Sequence, residues 1–270
     1  MIIANAKDFD LQQTFECGQC FRWNKLCDDK YIGVVGDFLM GAYYRDGSII
    51  IECENEQLAK EYFDIEKDYS EMKKRLQCDE VMAKAISAGY GIRLLKQQPW
   101  ETLVSFIISA NNNIPRIKKI IELLCQTFGN EIMKDGVKYH TFPSAEALAN
   151  VDGDALSAIR CGYRDKYIID AAKKVATGEV CLDDIYSLPA DEGREILKKI
   201  KGVGDKVADC ILLFAYQKYD VFPKDVWIKK VLHKLYFVAE KDIDLFVRQK
   251  FGKLCGLAQQ YLFYYGRQTL

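Results

Sequence analysis

The chain has 270 residues, 49% hydrophobic and 29% charged, with a formal net charge of −1. That is enough chain for one large or two modest cores, and the near-neutral balance argues against a protein that coats nucleic acid indiscriminately. No apolar run approaches the ~20 residues that span a bilayer, and Met1–Asp8 lacks the apolar core of a secretory signal, so a cytoplasmic protein with no membrane attachment is expected.

In chain order, residues 31–35, 38–44 and 48–51 have strand character, and Asp46-Gly47 separates the last two runs. Asp-Gly between such runs signals a hairpin, because a type I′ turn needs positive φ at both central residues. Helical spacing begins near Asn55 and continues through Met72–Ala88. All five prolines lie between Pro99 and Pro223. Four are placed to open helices (Pro99, Pro115, Pro143 with Ser144, and Pro189), since proline in a first turn forfeits no hydrogen bond. The expected fold is therefore α+β: an N-terminal antiparallel sheet domain with flanking helices over 1–95, followed by an all-α domain over 96–270.

Ten cysteines could signal metal, but only Cys17-Gly18-Gln19-Cys20 has a CxxC form, and His140 and His233 stand alone. This spacing completes no ligand set, so thiols used in packing, and no metal, are expected. Charge is unevenly spread. Residues 46–80 hold eleven acidic and five basic side chains, whereas 194–234 hold five acidic and ten basic, a pattern that points to a localised phosphate-binding surface.

That basic stretch contains Ile200-Lys201-Gly202-Val203-Gly204-Asp205-Lys206-Val207-Ala208-Asp209-Cys210. An amphipathic helix is expected to end at Gly202 and a second to begin near Asp205, whose carboxylate is placed to cap it. Between them Gly202, Val203 and Gly204 would expose backbone N–H groups at a helix N-terminus, which suits a phosphate. The segment resembles a DNA-binding helix-hairpin-helix over 193–217.

Lys206 directly after the hairpin, Val-Ala-Asp-Cys behind it, and Val221-Phe222-Pro223-Lys224-Asp225 downstream are similar to the 8-oxoguanine DNA glycosylases of the helix-hairpin-helix superfamily. Further segments agree in the family's order: Gly18-Gln19-Cys20-Phe21-Arg22-Trp23, Ser109–Ile117, Cys161-Gly162-Tyr163-Arg164 and Ala258–Phe263. The resemblance implies an enzyme that flips 8-oxoguanine out of double-stranded DNA, excises it, and nicks the abasic site by β-elimination. It assigns Lys206 as nucleophile on C1′. The positive end of a helix and a desolvating pocket both favour a free amine over an inert ammonium. It also assigns Asp225 as the carboxylate that stabilises charge developing on the sugar.

The Gly18 backbone carbonyl would accept from N7–H, a donor that 8-oxoguanine has and guanine lacks. Cys210 and Phe263 would sandwich the base, with Gln259 on its Watson–Crick edge. Lys206 and Cys210, like Gln259 and Phe263, are four residues apart and so share a helix face. Asn111, Arg116, Tyr163 and Arg164 would fill the gap and hold the orphaned cytosine, giving a preference for cytosine opposite the lesion. A monomer is expected, with no required cofactor, although hairpin backbone carbonyls could hold a cation. One position departs from the pattern: Trp227 stands two residues after Asp225, where relatives have histidine, which puts a phosphate or active-site contact in doubt.

Two other readings compete. A thymine-glycol or adenine glycosylase of the superfamily would commonly carry four closely spaced cluster-binding cysteines, whereas only Cys255 lies beyond Cys210. A noncatalytic DNA-docking module would need neither Lys206, Asp225 nor the Gly18 segment.

Overall fold

In the computed structural model, which describes residues 2–5, 8–151, 155–156 and 158–270, five strands form one antiparallel sheet. They are β1 (Ile2–Asn5), β2 (Asn24–Cys27), β3 (Lys30–Val35), β4 (Phe38–Arg45) and β5 (Ser48–Glu52), in the order β1-β5-β4-β3-β2. Asp46 and Gly47 have φ of 50° and 73°, the pair of positive values a type I′ turn requires. The two edge strands were not read from the sequence. β2 is exposed along its length, so no buried alternation marks it.

Helix α1 (Leu11–Glu16) packs under the sheet, capped by Asp10, which accepts from the Gln13 N–H at 2.7 Å. Phe15 stacks on Trp23, with ring centroids 4.2 Å apart, and the Trp23 indole donates to the Tyr62 hydroxyl at 2.9 Å. These rings centre the first core. The sequence then forms α2 (Glu56–Tyr62), α3 (Tyr69–Leu76) and α4 (Glu80–Ala88). Asn55, Asp68 and Asp79 each cap the helix that follows.

The remaining helices are α5 (Pro99–Ser109), α6 (Ile114–Phe128), α7 (Ala145–Ala149), α8 (Asp165–Ala176), α9 (Ala190–Lys198), α10 (Asp205–Tyr216), α11 (Val226–Tyr236), α12 (Ile243–Phe251) and α13 (Cys255–Thr269). Pro99 and Pro115 occupy first turns. Helices α10 and α13 lie deepest, and α3 and α4 join this second core although they precede residue 95. The expectation of an all-α back two-thirds needs correction. Strands β6 (Glu131–Lys134) and β7 (Val137–His140) form a hairpin there, turned by Asp135-Gly136 with φ of 50° and 76°. Its flanking residues are largely exposed, so the turn signal lacked the apolar runs that would have announced strands.

Candidate active site

The hairpin differs in detail from its sequence reading. Helix α9 ends at Lys198, before Gly202. Asp205 is the first residue of α10 and does not cap it: Gly204 holds the cap position, and Asp205 instead pairs with Lys198 at 2.9 Å. Gly202 has φ of 83°, and a Cβ there would lie 2.5 Å from the Tyr167 ring, so only glycine fits. Val203 is buried, with its N–H on the Ile200 carbonyl, while the space beside Gly204 is open. Asp170 accepts from the Lys201 N–H at 2.8 Å and fastens the turn to α8.

The local positive charge is thinner than the count suggested. Arg194 pairs with Asp191 and Asp209, Lys198 with Glu195 and Asp205, Lys224 with Asp244, and Lys229 with Glu240. Lys199, Lys206, Lys230 and Lys234 make no ion pair among the described residues.

One pocket gathers Lys206, Asp225, Gly18, Cys210, Gln259 and Phe263, which come from α10, the start of α11, α13 and the loop after α1. The helix spacing accounts for two pairs: Lys206 with Cys210 on α10, and Gln259 with Phe263 on α13. Asp225 caps α11 by accepting from the Ile228 N–H at 2.7 Å, which fixes the carboxylate at the pocket wall. The Lys206 Nζ lies 5.4 Å from the centre of the Phe106 ring, and Phe106 in turn stacks on Phe214.

Gly18 has φ of 84°, and its neighbours are pinned on both sides. The Gln260 amide donates to the Cys17 carbonyl at 2.8 Å, and Gln97 donates to the Gln19 carbonyl at 2.7 Å. The Gln19 side chain reaches Thr14, Arg93 and Leu95 backbone groups. Burial pushes the Cys210 and Cys17 thiols up to about 11, so both are neutral packing groups near pH 7. Gln259 is 5% exposed; its amide nitrogen makes a long 3.4 Å contact to the Pro223 carbonyl, and its Oε1 has no partner among the described residues. A buried acceptor left unpaired is costly and suits an incoming donor. The cavity is about 50 Å³, room for a few waters.

A second cluster lies around the α5–α6 turn. Asn111, Arg116 and Tyr163 are exposed, whereas Arg164 is buried with its guanidinium on backbone carbonyls of Ala110, Asn111 and Cys161. The equal standing expected for the two arginines does not hold in this conformation. Trp227 is half-buried, its indole N–H has no partner among the described residues, and Lys230 lies over its ring at 4.7 Å.

Sequence reading missed Phe106, Phe214, Pro223, Gln260 and Cys17 as pocket walls. Phe106 and Phe214 sit within apolar helical runs and look like any core aromatic, whereas Gln260, adjacent to Gln259, could have been flagged as a second buried amide.

Comparison with known proteins covers nearly all of this architecture. Residues 1–103 match the model for "8-oxoguanine DNA glycosylase, N-terminal domain", and residues 104–256 match "HhH-GPD superfamily base excision DNA repair protein". The N-glycosylase/DNA lyase of Saccharomyces cerevisiae is 31% identical over 93% of this chain and 74% of its own length. A probable N-glycosylase/DNA lyase of Methanothermobacter thermautotrophicus is 30% identical over 77% of this chain and 72% of its own. Among solved structures, MBOgg1 bound to a low-affinity DNA ligand superposes with a TM-score of 0.95 at 47% identity, covering 98% of this chain and 95% of that one. The Clostridium acetobutylicum 8-oxoguanine glycosylase/lyase, bound to double-stranded DNA with cytosine opposite 8-oxoguanine, gives 0.93 at 42% identity, covering 97% and 93%.

Proposed function

The chain belongs to the 8-oxoguanine DNA glycosylase family within the HhH-GPD superfamily of base excision repair proteins, and from that premise we propose that it extrudes 8-oxoguanine from duplex DNA and removes it as a bifunctional glycosylase and abasic-site lyase. The observation that carries the reading is the convergence of Lys206 and Asp225 on one pocket with Gly18, Cys210, Gln259 and Phe263.

In this reading the Lys206 amine bonds to C1′ of the extruded nucleotide as the N-glycosidic bond breaks, and the electron pair leaves with the base, which takes up a proton. The Asp225 carboxylate stabilises the positive charge that develops on the sugar. Loss of the amine protons and opening of the sugar leave a Schiff base between Nζ and C1′. Removal of a C2′ proton then expels the 3′ phosphate and nicks the strand. Gln259 supplies its unpaired Oε1 to an N–H of the guanine edge, Cys210 and Phe263 enclose the ring, and the Gly18 carbonyl accepts from N7–H. The same carbonyl would face a lone pair on ordinary guanine, and an unpaired buried acceptor is a strong source of rejection.

Gly202 and Gly204 present the hairpin to a phosphate, whereas the Val203 N–H, expected to join them, is spent on the Ile200 carbonyl. Arg116 donates to O2 and N3 of the opposing cytosine, while Asn111 and Tyr163 occupy the gap. This supports a preference for cytosine over adenine, whose exocyclic amine would meet those donors with another donor. The chemistry needs no cofactor; a cation on hairpin carbonyls would only anchor the backbone that holds the phosphate. Its work is on cellular DNA in the cytoplasm.

Borohydride trapping on a duplex carrying 8-oxoguanine opposite cytosine tests substrate and nucleophile together. The unmutated protein should form a covalent complex, and Lys206→Gln should form none while still binding lesion DNA. No excision of 8-oxoguanine by the unmutated protein would overturn the function, and a trapped Lys206→Gln complex would overturn the nucleophile.

A further inference from the structure

We propose that Gln260 is a positioning residue for lesion recognition: its amide helps hold the peptide after Gly18 in the orientation that offers a carbonyl to N7–H. The inference rests on the reading above, in which the Gly18 carbonyl senses the lesion.

The three successive carbonyls of Cys17, Gly18 and Gln19 are treated unequally. The first accepts from the Gln260 amide at 2.8 Å and the third from the Gln97 amide at 2.7 Å. The middle one, on Gly18, accepts no hydrogen bond among the described residues. Both glutamines are buried, at 2% and 7% exposure, so an amide that let go of its carbonyl would be left unpaired away from water. A Cβ on Gly18 would stand 3.5 Å from the Phe263 ring, which places this backbone beside the space that encloses the base.

Glycine makes such bracing necessary. Gly18 has φ of 84°, and a residue without a Cβ gives the peptide plane that joins it to Gln19 little steric lock of its own. Turning that plane over would exchange the Gly18 carbonyl for the Gln19 N–H, an acceptor for a donor. A donor there would suit the N7 lone pair of ordinary guanine and repel the N7–H of the lesion, so selectivity depends on the orientation of one peptide. The segment is braced from two helices. Gln260 stands on α13 beside Gln259, and the Gln97 N–H donates to the Phe214 carbonyl of α10 at 2.9 Å. The loop is thereby slung between the helix that carries Lys206 and the helix that carries Gln259. Burial raises the pKa of the Cys17 thiol, and the Gln260 amide and the Gln19 N–H, both turned toward the sulfur, act against that rise. A flip of the plane would pull the Gln19 N–H away from the sulfur as well.

The test uses two probes that differ only at position 7: duplexes with 8-oxoguanine or 8-oxo-7-deazaguanine opposite cytosine, the second carrying C–H in place of N7–H. Binding is measured for Lys206→Gln protein, in which the chemistry is stopped, with and without Gln260→Met, a side chain of similar length that cannot donate. Gln260→Met should weaken binding of the 8-oxoguanine duplex about tenfold, the scale of one hydrogen bond to a buried group, and leave the deaza duplex within about twofold. An equal loss on both duplexes, or no loss on either, would sink the positioning role, because general damage to the fold does not single out N7–H. If melting shows that Gln260→Met does not fold, Gln97→Met carries the same comparison from the other end of the segment, with the same selective loss expected and an equal loss counting against it. Equal binding of the two duplexes by Lys206→Gln protein with Gln260 intact would instead remove the Gly18 carbonyl as the sensor, and the positioning role with it.

Discussion

The lesion pocket and the opposite-strand loop are built on contrary plans. The pocket is buried and tight, and its key polar atom, Gln259 Oε1, has no partner among the described residues. The loop presents Asn111, Arg116 and Tyr163 to solvent, and only Arg164 beneath them is buried and satisfied. The difference follows from the two recognition problems. In the proposed reading the extruded base brings its Watson–Crick edge into a dry site, where a desolvated acceptor with nothing else to bond favours a matching donor, while N7–H, the donor by which the lesion differs from guanine, falls to the Gly18 carbonyl. An opposing cytosine differs from adenine across its whole edge, so a long exposed donor that orders on contact suffices.

Substitutions can break this contrast. The largest effect should come from Asp225→Asn, with a single-turnover rate down about 10²–10³-fold, as for loss of one preorganised electrostatic group. Asparagine can still cap α11, so the melting temperature should hold, whereas Asp225→Ala should also lose about 1 kcal/mol of stability. Near-normal excision by Asp225→Asn would leave Asp225 as a cap alone. Phe263→Ala should then cost about 1–3 kcal/mol of lesion binding, the scale of base–aromatic stacking. Gln259→Ala should slow lesion excision without making guanine a good substrate, and rapid guanine release by that variant would move the discriminating contact from Gly18 to Gln259.

On the loop side, Arg116→Met should flatten the cytosine-over-adenine preference by about 1–3 kcal/mol, read as the ratio of excision rates on the two duplexes. An unchanged ratio would remove Arg116 from base reading. The smallest effects belong to the hairpin. Gly202→Ala should lower stability by roughly 1–2 kcal/mol through its left-handed backbone, with the Tyr167 contact adding to it. Gly204→Ala, which meets open space, should stay within about 0.5 kcal/mol in a thermal melt.

Periodicity and turn chemistry were legible wherever one local rule acted alone. Asp46-Gly47 turned a hairpin, Pro99 and Pro115 opened helices, and four-residue spacing put Lys206 beside Cys210 and Gln259 beside Phe263. Where burial did not reinforce the local signal, the reading failed. Asp135-Gly136 turns an exposed hairpin that was missed, and Asp205 forms an ion pair with Lys198 instead of the expected cap.

By itself the sequence determined which residue types stand at which helical positions, and so the candidate nucleophile, carboxylate and pocket side chains. Only the tertiary structure decided which polar groups remain unspent. Arg116 and Arg164 are the same residue in sequence, yet one is exposed and the other is consumed by the carbonyls of a turn more than fifty residues away. Gln259 and Gln260 are neighbours, yet one keeps an acceptor without a partner among the described residues and the other anchors the Cys17 backbone. Hydrogen-bond satisfaction depends on partners brought together from distant parts of the chain, and no local pattern encodes it.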